Sequence, residues 1–325
     1  MIIENKGHRI GVWTFAIVFI TFAVIQYFII PSKKIFIKIP AGSTPKQVAK
    51  ILKNENIIKS ESIFLTLVWL SRTEKKFKSG TYKFNTKMTS FAVLRDIINE
   101  NTYRIKVTIP EGFTVVEIAE LLEKKGVCNG KKFLEIVKNK KLDGYLFPET
   151  YFFEPDSLED KVVQMLNGQF EKIFSDDFVK RTLALKMSKE KIIILASIIE
   201  REAKKDEERP LISAVFHNRL KKGWNLESCA TVLYALGKHR DFLTYKDTKI
   251  DSPFNTYIHP GLPPAPICNP GVASIKAALY PAETVDMFFV ADGSGTHKFS
   301  KYVQEHIKNK KSRKKNSGES SLGNH

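Results

Sequence analysis

The sequence predicts an α+β protein with an N-terminal single transmembrane helix, a small α/β module and a larger mixed α+β domain. Three observations support this prediction: an apolar run at Ile10–Ile30, a strand–turn–helix motif that occurs twice, and a long helical stretch that gives way to turn-rich loops. Hydrophobic residues make up 43% of the 325 residues and aromatic residues 11%, which is typical of a packed core.

The apolar run at Ile10–Ile30 is long enough to cross a hydrocarbon layer of about 30 Å. The Pro31-Ser32 pair that follows does not resemble the small-residue cleavage site of a signal peptide. We therefore expect an uncleaved anchor. Basic residues flank both ends of the run, so local charge does not fix its orientation.

An internal repeat follows the apolar run. Ile39–Thr44 and Ile109–Thr114 both read Ile-Pro-x-Gly-x-Thr. Each copy ends a predicted strand and precedes a predicted amphipathic helix, and each unit closes with a glycine turn and an aromatic strand. The predicted elements are strands at Ile35–Ile39 and Ile105–Ile109, and helices at Pro45–Asn54 and Val115–Lys125.

The repeated motif has two interpretations. It is a strand–turn–helix joint in which the threonine caps the helix. The strand–helix–helix–strand unit that it predicts also resembles the LysM-like modules that hold N-acetylglucosamine polymers, which implies glycan binding by analogy. On this basis we place a LysM-like module at 31–104, and a second repeat at about 105–153 within a domain spanning 105–300.

The segment Lys189–Glu202 predicts a helix around which the larger domain folds. Ile192–Ile199 is apolar apart from Ser197, and a helix that is apolar all round is a buried one. Ser188 is suited to cap its first turn.

Two acidic residues, Glu200 and Glu202, end this apolar helix without a polar lead-in. Burial disfavours the charged form of a carboxyl, which is the property that a general acid needs near neutral pH. Such residues also commonly turn outward and pair with basic neighbours, here Arg201, Lys204 and Lys205. Helical periodicity does not choose between the two carboxyls.

The rest of the larger domain is predicted to be mixed. A proline-rich stretch at 261–271 predicts a rigid loop that either lines a substrate cleft or covers the core. Residues 226–236 alternate between polar and apolar types. Further helices are predicted at Leu158–Phe170, Glu208–Leu220 and Val272–Leu279, and a strand at Met287–Ala291.

The charge balance is basic, with 52 Lys and Arg against 35 Asp and Glu, a net charge of +17. Such a field favours polyanionic partners. The excess lysine is spread along the chain, and no nucleic-acid recognition motif is present, so we predict no nucleic-acid partner. The tail at 301–325 is predicted to be basic and disordered.

The cysteines and histidines show no metal-ligand spacing, and no phosphate loop or dinucleotide motif is present. We predict no metal and no cofactor. Cys128, Cys229 and Cys268 are interpreted as buried small apolar residues.

Several motifs together resemble one family, the YceG-like endolytic murein transglycosylases. The resemblance runs in order from the apolar run to about Phe299. The matching stretches are Gly144–Tyr151 (GYLFPETY), Leu195–Glu202 (LASIIERE), Val215–Leu220 (VFHNRL), Asp251–Tyr257 (DSPFNTY), Gly261–Pro264 (GLPP) and Phe289–Gly293 (FVADG).

The resemblance implies a single-pass protein of the inner or plasma membrane, with residues 1–9 cytoplasmic and the catalytic domain outside the cytoplasm. Its substrate would be nascent peptidoglycan glycan strands, cut internally near the membrane, and it suggests the cell-wall synthesis machinery as a partner. The reaction would break the bond from N-acetylmuramic acid to N-acetylglucosamine and close a 1,6-anhydro ring.

The resemblance also assigns residues. The family's catalytic glutamate falls on Glu200, as general acid and base. Asn255 and Tyr257 are candidates for contacts with the sugars, and Asn218, Thr231 and Glu202 are weaker ones. Many members read Gln-Ser-Asp-Pro-Thr where this chain has Glu-Ser-Cys-Ala-Thr at 227–231, so contacts in that strip are expected to differ.

One alternative of a different class stays open from the sequence, a membrane-anchored scaffold that binds glycan without cleaving it. The scaffold hypothesis explains the repeat, but it assigns no function to the acidic residues at the end of the apolar helix.

Overall fold

The computed structural model of this chain describes residues 32–237 and 243–316. The predicted membrane anchor at Ile10–Ile30 therefore lies outside the described residues. Within the described ranges, no helix combines the length and the apolar character that a membrane crossing requires. The described chain forms two compact units, one ending at Arg104 and the other beginning at Ile105.

The first unit has the strand–helix–helix–strand order that the repeat predicts, followed by a third helix. Its two strands pair antiparallel, with Ile37 opposite Tyr82. Both of these side chains are buried in an apolar core. The elements are β1 (Lys34–Ile39), α1 (Pro45–Asn54), α2 (Glu61–Leu70), β2 (Gly80–Asn85) and α3 (Ser90–Ile98).

The second unit opens with the same arrangement. Its first two strands pair antiparallel, with Val107 opposite Tyr151, and the helices between them bury Ile118 and Phe133 against this sheet. The elements are β3 (Ile105–Thr108), α4 (Val115–Lys124), α5 (Gly130–Lys140) and β4 (Thr150–Phe153). The strand–helix–helix–strand order is thus confirmed in both copies, and the LysM-like character of these units stays a prediction.

The repeated threonine caps the helix in each copy. Thr44 Oγ1 accepts the backbone N–H of Gln47 at 3.3 Å, and Thr114 Oγ1 accepts that of Glu117 at 3.2 Å. In both copies the side chain of the third helical residue accepts the threonine N–H in return, which completes a capping box.

The remainder of the second unit is built around one buried helix. It consists of α6 (Glu159–Ile173), α7 (Asp176–Ala184), α8 (Lys189–Glu202), α9 (Arg209–Lys221), α10 (Cys229–Leu236), α11 (Val272–Leu279), β5 (Phe288–Ala291), β6 (His297–Ser300) and α12 (Val303–Asn316). Helix α8 has the predicted bounds, and all eight residues from Ile192 to Ile199 are buried. It packs against α7, α9, α10 and α11.

Residues 229–236 of the alternating stretch form helix α10, which packs on α8. Two predictions about this unit need correction. The tail predicted to be disordered forms α12 over 303–316, which packs on β5 and β6. Of the cysteines, Cys268 is buried, Cys128 half-buried and Cys229 exposed.

Candidate active site at the end of helix α8

The side chain of Glu200 is buried at the end of α8, with 6% of its surface exposed. Oε1 lies 3.3 Å from Arg209 Nη2, and Oε2 accepts the backbone N–H of Gly271 at 2.9 Å. Removing one partner of such a pair leaves a buried charge uncompensated, which is strongly destabilising. The apolar helix thus places this carboxylate in a fixed polar pocket rather than on open surface.

Arg209 is held in turn by two other elements. Its side chain is 8% exposed, Nη1 donates to Ser274 Oγ at 2.8 Å, and Nε pairs with Asp206 at 2.9 Å. The guanidinium therefore presents a fixed face to Glu200.

The proline-rich loop at 261–271 lies along α8 and supplies a wall of the site. The Ser197 hydroxyl accepts the N–H of Ile267 at 3.0 Å and itself donates to the carbonyl of Ile194 at 2.7 Å. The loop ends at Gly271, which donates to Glu200 and begins α11. The loop covers the core, because Ile267 and Cys268 are buried, and Gly271 at its end contacts Glu200, while the lining of a substrate cleft by this loop stays a prediction.

The second copy of the repeat approaches the same place. The N–H of Gly112 donates to the Asn269 carbonyl at 2.9 Å, and Arg201 Nη1 donates to the Gly112 carbonyl at 3.4 Å. A Cβ on Gly112 would lie 3.6 Å from Glu200 Cγ. The turn after β3 therefore lies directly against the end of α8.

Glu111 is the acidic residue of that turn. Burial of its carboxyl end, and next the negative charge of Glu200, raise the pKa of Glu111, while Arg209 opposes the rise and Asp206 adds to it. Sequence reasoning missed Glu111, Arg209 and Gly271. A signal for Glu111 was present in the repeat, since the matching position of the first copy is Ala41.

Glu202, the other acidic candidate on α8, contacts a different element. Its Oε1 accepts the Ser228 hydroxyl at 2.5 Å and the N–H of Ala230 at 3.4 Å. These contacts hold the start of α10 against the end of α8. The structure thus separates the two carboxyls that periodicity could not, because only Glu200 lies beside Arg209 and Gly271.

Asn255 and Thr231 are fully buried. The Asn255 amide donates to the carbonyls of Thr248 and Ile250 at 3.0 and 2.9 Å. The Thr231 hydroxyl donates to the Ser228 carbonyl at 2.8 Å. These contacts shape the loop and the start of α10, so neither side chain is placed for the predicted direct contact with a sugar.

Asn218 and Tyr257 are also engaged within the domain. Asn218 donates to the carbonyls of Thr284 and Asp286, both at 2.9 Å, away from Glu200 on a different helix. The Tyr257 hydroxyl lies 3.1 Å from Cys229 Sγ, in the strip where the family pattern and this chain differ. Of the five predicted sugar contacts, Tyr257, Asn218 and Glu202 are half-buried, whereas Asn255 and Thr231 are buried.

A cleft of about 630 Å³ adjoins the site. It is lined by the start of α4, by α10, by the proline-rich loop and by Arg201, and does not include Glu200 itself. Its walls combine acidic and aromatic side chains, among them Asp143, Tyr234 and Phe254. Such a lining suits a sugar, which presents hydroxyls to carboxylates and an apolar face to rings.

Within residues 32–237 and 243–316, no group of three or more His, Cys, Asp or Glu side chains is placed to hold a metal ion.

The comparisons with known proteins agree with this organisation. The profile of the YceG-like family matches residues 37–312. The chain belongs to the YceG-like family. The match includes both copies of the repeat, helix α8 and most of α12, so the site lies entirely within it.

Two similar proteins have names that state an activity. A Bacillus subtilis (strain 168) protein named endolytic murein transglycosylase is 37% identical over an alignment of 304 residues, and the match covers 84% of this chain and 83% of that protein. One of the same name from Streptococcus pneumoniae D39 is 25% identical over 80% of this chain, and the match spans 54% of that longer protein.

A solved structure is also similar. The crystal structure of a yceG-like protein from Listeria monocytogenes is 32% identical, with a TM-score of 0.57, and the match covers 85% of this chain and 98% of that one.

Proposed function

We propose that this member of the YceG-like family is an endolytic lytic transglycosylase of peptidoglycan, with Glu200 as its general acid and base. The observation that carries the proposal is the position of Glu200, a buried carboxylate fixed by Arg209 and Gly271 at the end of an apolar helix. The relatives named endolytic murein transglycosylase supply the reaction class.

The chemistry follows from one carboxyl group and the substrate. A proton passes to the oxygen that links N-acetylmuramic acid to N-acetylglucosamine, and the bond from that oxygen to C1 breaks. The C6 hydroxyl of the same muramic acid residue attacks C1, and its proton returns to the carboxylate. The nucleophile belongs to the substrate, so this reaction differs from hydrolysis by a carboxylate pair that activates water.

We further propose that the protein is a single-pass protein of the inner or plasma membrane, anchored by Ile10–Ile30 with its catalytic domain outside the cytoplasm. The apolar run in the sequence supports the anchor. Nascent strands near the membrane would then be its substrate, and the cell-wall synthesis machinery its neighbour.

Mass analysis of glycan fragments tests the reaction. The purified full-length chain is incubated with uncrosslinked glycan strands, and the ends of the products are identified. The proposal expects shorter strands with 1,6-anhydro-N-acetylmuramic acid ends. Reducing N-acetylmuramic acid ends would show a hydrolase instead, and binding without shortening would favour the glycan-binding scaffold.

A further inference from the structure

Two carboxylates of the second unit lie against the same glycine. A Cβ built on Gly271 would lie 1.9 Å from Glu111 Oε1 and 2.7 Å from Glu111 Oε2. The N–H of the same Gly271 donates to Glu200 Oε2 at 2.9 Å. The absence of a side chain at position 271 is what allows the two acids to approach one another.

The surroundings of the two carboxyl groups differ. Glu200 contacts a guanidinium and a backbone N–H and is almost fully buried. Glu111 is an exposed residue, but its carboxyl end lies against Gly271. The negative charge of Glu200 acts on this carboxyl, and the charges of Arg209 and Asp206 act on it more weakly. Two neighbouring carboxyls with unlike surroundings bind one proton between them more readily than two.

We propose that Glu111 is a second catalytic carboxylate, which shares with Glu200 the single proton that glycan cleavage moves. This inference rests on the proposed function. Of the pair, Glu111 is the more exposed and so the one that a glycan strand meets first.

The proton count balances over the reaction. The shared proton passes to the glycosidic oxygen as the C1–oxygen bond breaks, and the leaving sugar keeps it as its C4 hydroxyl. The C6 oxygen then bonds to C1, and the C6 hydroxyl proton returns to the carboxylate pair. Because the pair regains one proton, no co-reactant is required, and the role of Glu111 is to store the proton rather than to activate water.

Substituting Glu111→Gln tests this role. We expect kcat for strand cleavage to fall about 100-fold, the usual range for loss of a proton-transfer group. We expect KM to change less than about 3-fold, because the amide keeps the shape of the side chain. Glu111→Asp, which retains a carboxyl, should recover part of the rate, and thermal unfolding should show both variants folded.

The pH profile separates this role from a structural one. Since the pKa of Glu111 is raised, the shared proton is lost as pH rises through that pKa, and the wild-type rate should fall on the alkaline side. In Glu111→Gln this alkaline fall should be displaced or absent. The matched control is Glu135→Gln, an exposed glutamate on α5 that should retain the wild-type rate and profile.

Gly271→Ala provides a test that removes no carboxyl. The backbone there (φ −75°, ψ 171°) accepts alanine, but the new methyl occupies the space of the Glu111 carboxylate. The rate should therefore fall, whereas Gly168→Ala, where a Cβ meets nothing within 4 Å, should not lower it. In a Glu111→Ala background, Gly271→Ala should cause little further loss, because its target is gone.

The outcomes are distinct. If the wild-type chain cleaves strands, and Glu111→Gln keeps the full rate with an unchanged pH profile, the second carboxylate is refuted while the proposed function stands. If the wild-type chain does not cleave strands, both fail. Multiplicative losses for Gly271→Ala and Glu111→Ala would also overturn the inference, because the two changes would then act independently.

Discussion

The two copies of Ile-Pro-x-Gly-x-Thr have the same local structure and different surroundings. In the first copy Gly42 is exposed, and a Cβ there would meet nothing within 4 Å. In the second copy Gly112 is buried, and a Cβ would lie within 4 Å of Glu200 and Arg201. The variable position is Ala41 in the first and Glu111 in the second. The same local joint therefore contributes only its fold in the first copy, whereas in the second copy it also brings an acidic side chain and a close-packed glycine to the end of α8.

The two glycines offer the sharpest way to break this comparison. Both have positive φ, +75° for Gly42 and +79° for Gly112. A leucine at either position should therefore lower the folding stability by a similar amount, about 1–2 kcal/mol, through backbone strain. A leucine at 112 would meet the end of α8, whereas a Cβ at 42 meets nothing within 4 Å. We expect Gly112→Leu to lower the cleavage rate on the order of 100-fold, since displacing a catalytic group by about 1 Å has that effect.

The measurement is the rate of strand cleavage beside the melting temperature of each variant. Gly42→Leu should lose stability without that loss of rate. Equal losses of rate in both variants would contradict the assignment of the site to the second copy.

The capping threonines provide a second, smaller comparison. Thr44→Val and Thr114→Val each remove one cap hydrogen bond, so we expect each helix to lose about 1 kcal/mol of local stability. Hydrogen exchange of the α1 and α4 amides measures both losses. The rate of strand cleavage should fall only for Thr114→Val, because that turn positions Glu111, and an equal fall for Thr44→Val would weaken the comparison.

Acid sensitivity should also differ between the units. Burial first, and then the nearby Arg181 and Lys221, lower the pKa of His217, although its ring nitrogen lies 2.9 Å from the Ala278 carbonyl. The unfolded chain therefore takes up the proton first, and this contribution to stability is present above pH 6.5 and is lost as pH falls below it. Residues 32–104 contain no histidine, so no histidine makes the stability of this part of the first unit depend on pH in the same way.

Hydrogen exchange between pH 7 and 5.5 tests this expectation. Protection of α9 should decrease at the lower pH by more than protection of α1. His217→Gln, which keeps a donor for the Ala278 carbonyl, should reduce the difference. An α9 that is equally protected at both pH values would show that His217 titrates as it does in the unfolded chain.

Much of this fold follows from local sequence signals. The apolar run from Ile192 to Ile199 and the cap at Ser188 predict α8 with its observed bounds, and the repeated threonine predicts the starts of α1 and α4. Helix α10 is not evident from its local pattern, because its residues are buried by contact with α8, a partner distant in sequence.

The candidate site likewise depends on contacts between residues that are distant in sequence. The apolar end of α8 identifies Glu200 and Glu202 as candidates, but the residues that distinguish them, Arg209 and Gly271, belong to other elements. Asn255 shows the converse. Its polar character in a turn-rich loop suggests a ligand contact, and only the tertiary structure shows that its amide is used by backbone carbonyls.

The most direct test of the account compares Glu200→Gln with Glu202→Gln on the same helix. Both variants replace a carboxyl by an amide of the same shape, two residues apart, and the rate of glycan strand cleavage is measured for each beside its melting temperature. We predict that Glu200→Gln lowers the melting temperature, because buried Arg209 loses its charged partner, but still folds and binds glycan strands and loses cleavage by at least about 100-fold. Glu202→Gln should retain cleavage with a modest loss of stability at the start of α10. Full cleavage by folded Glu200→Gln would contradict the account.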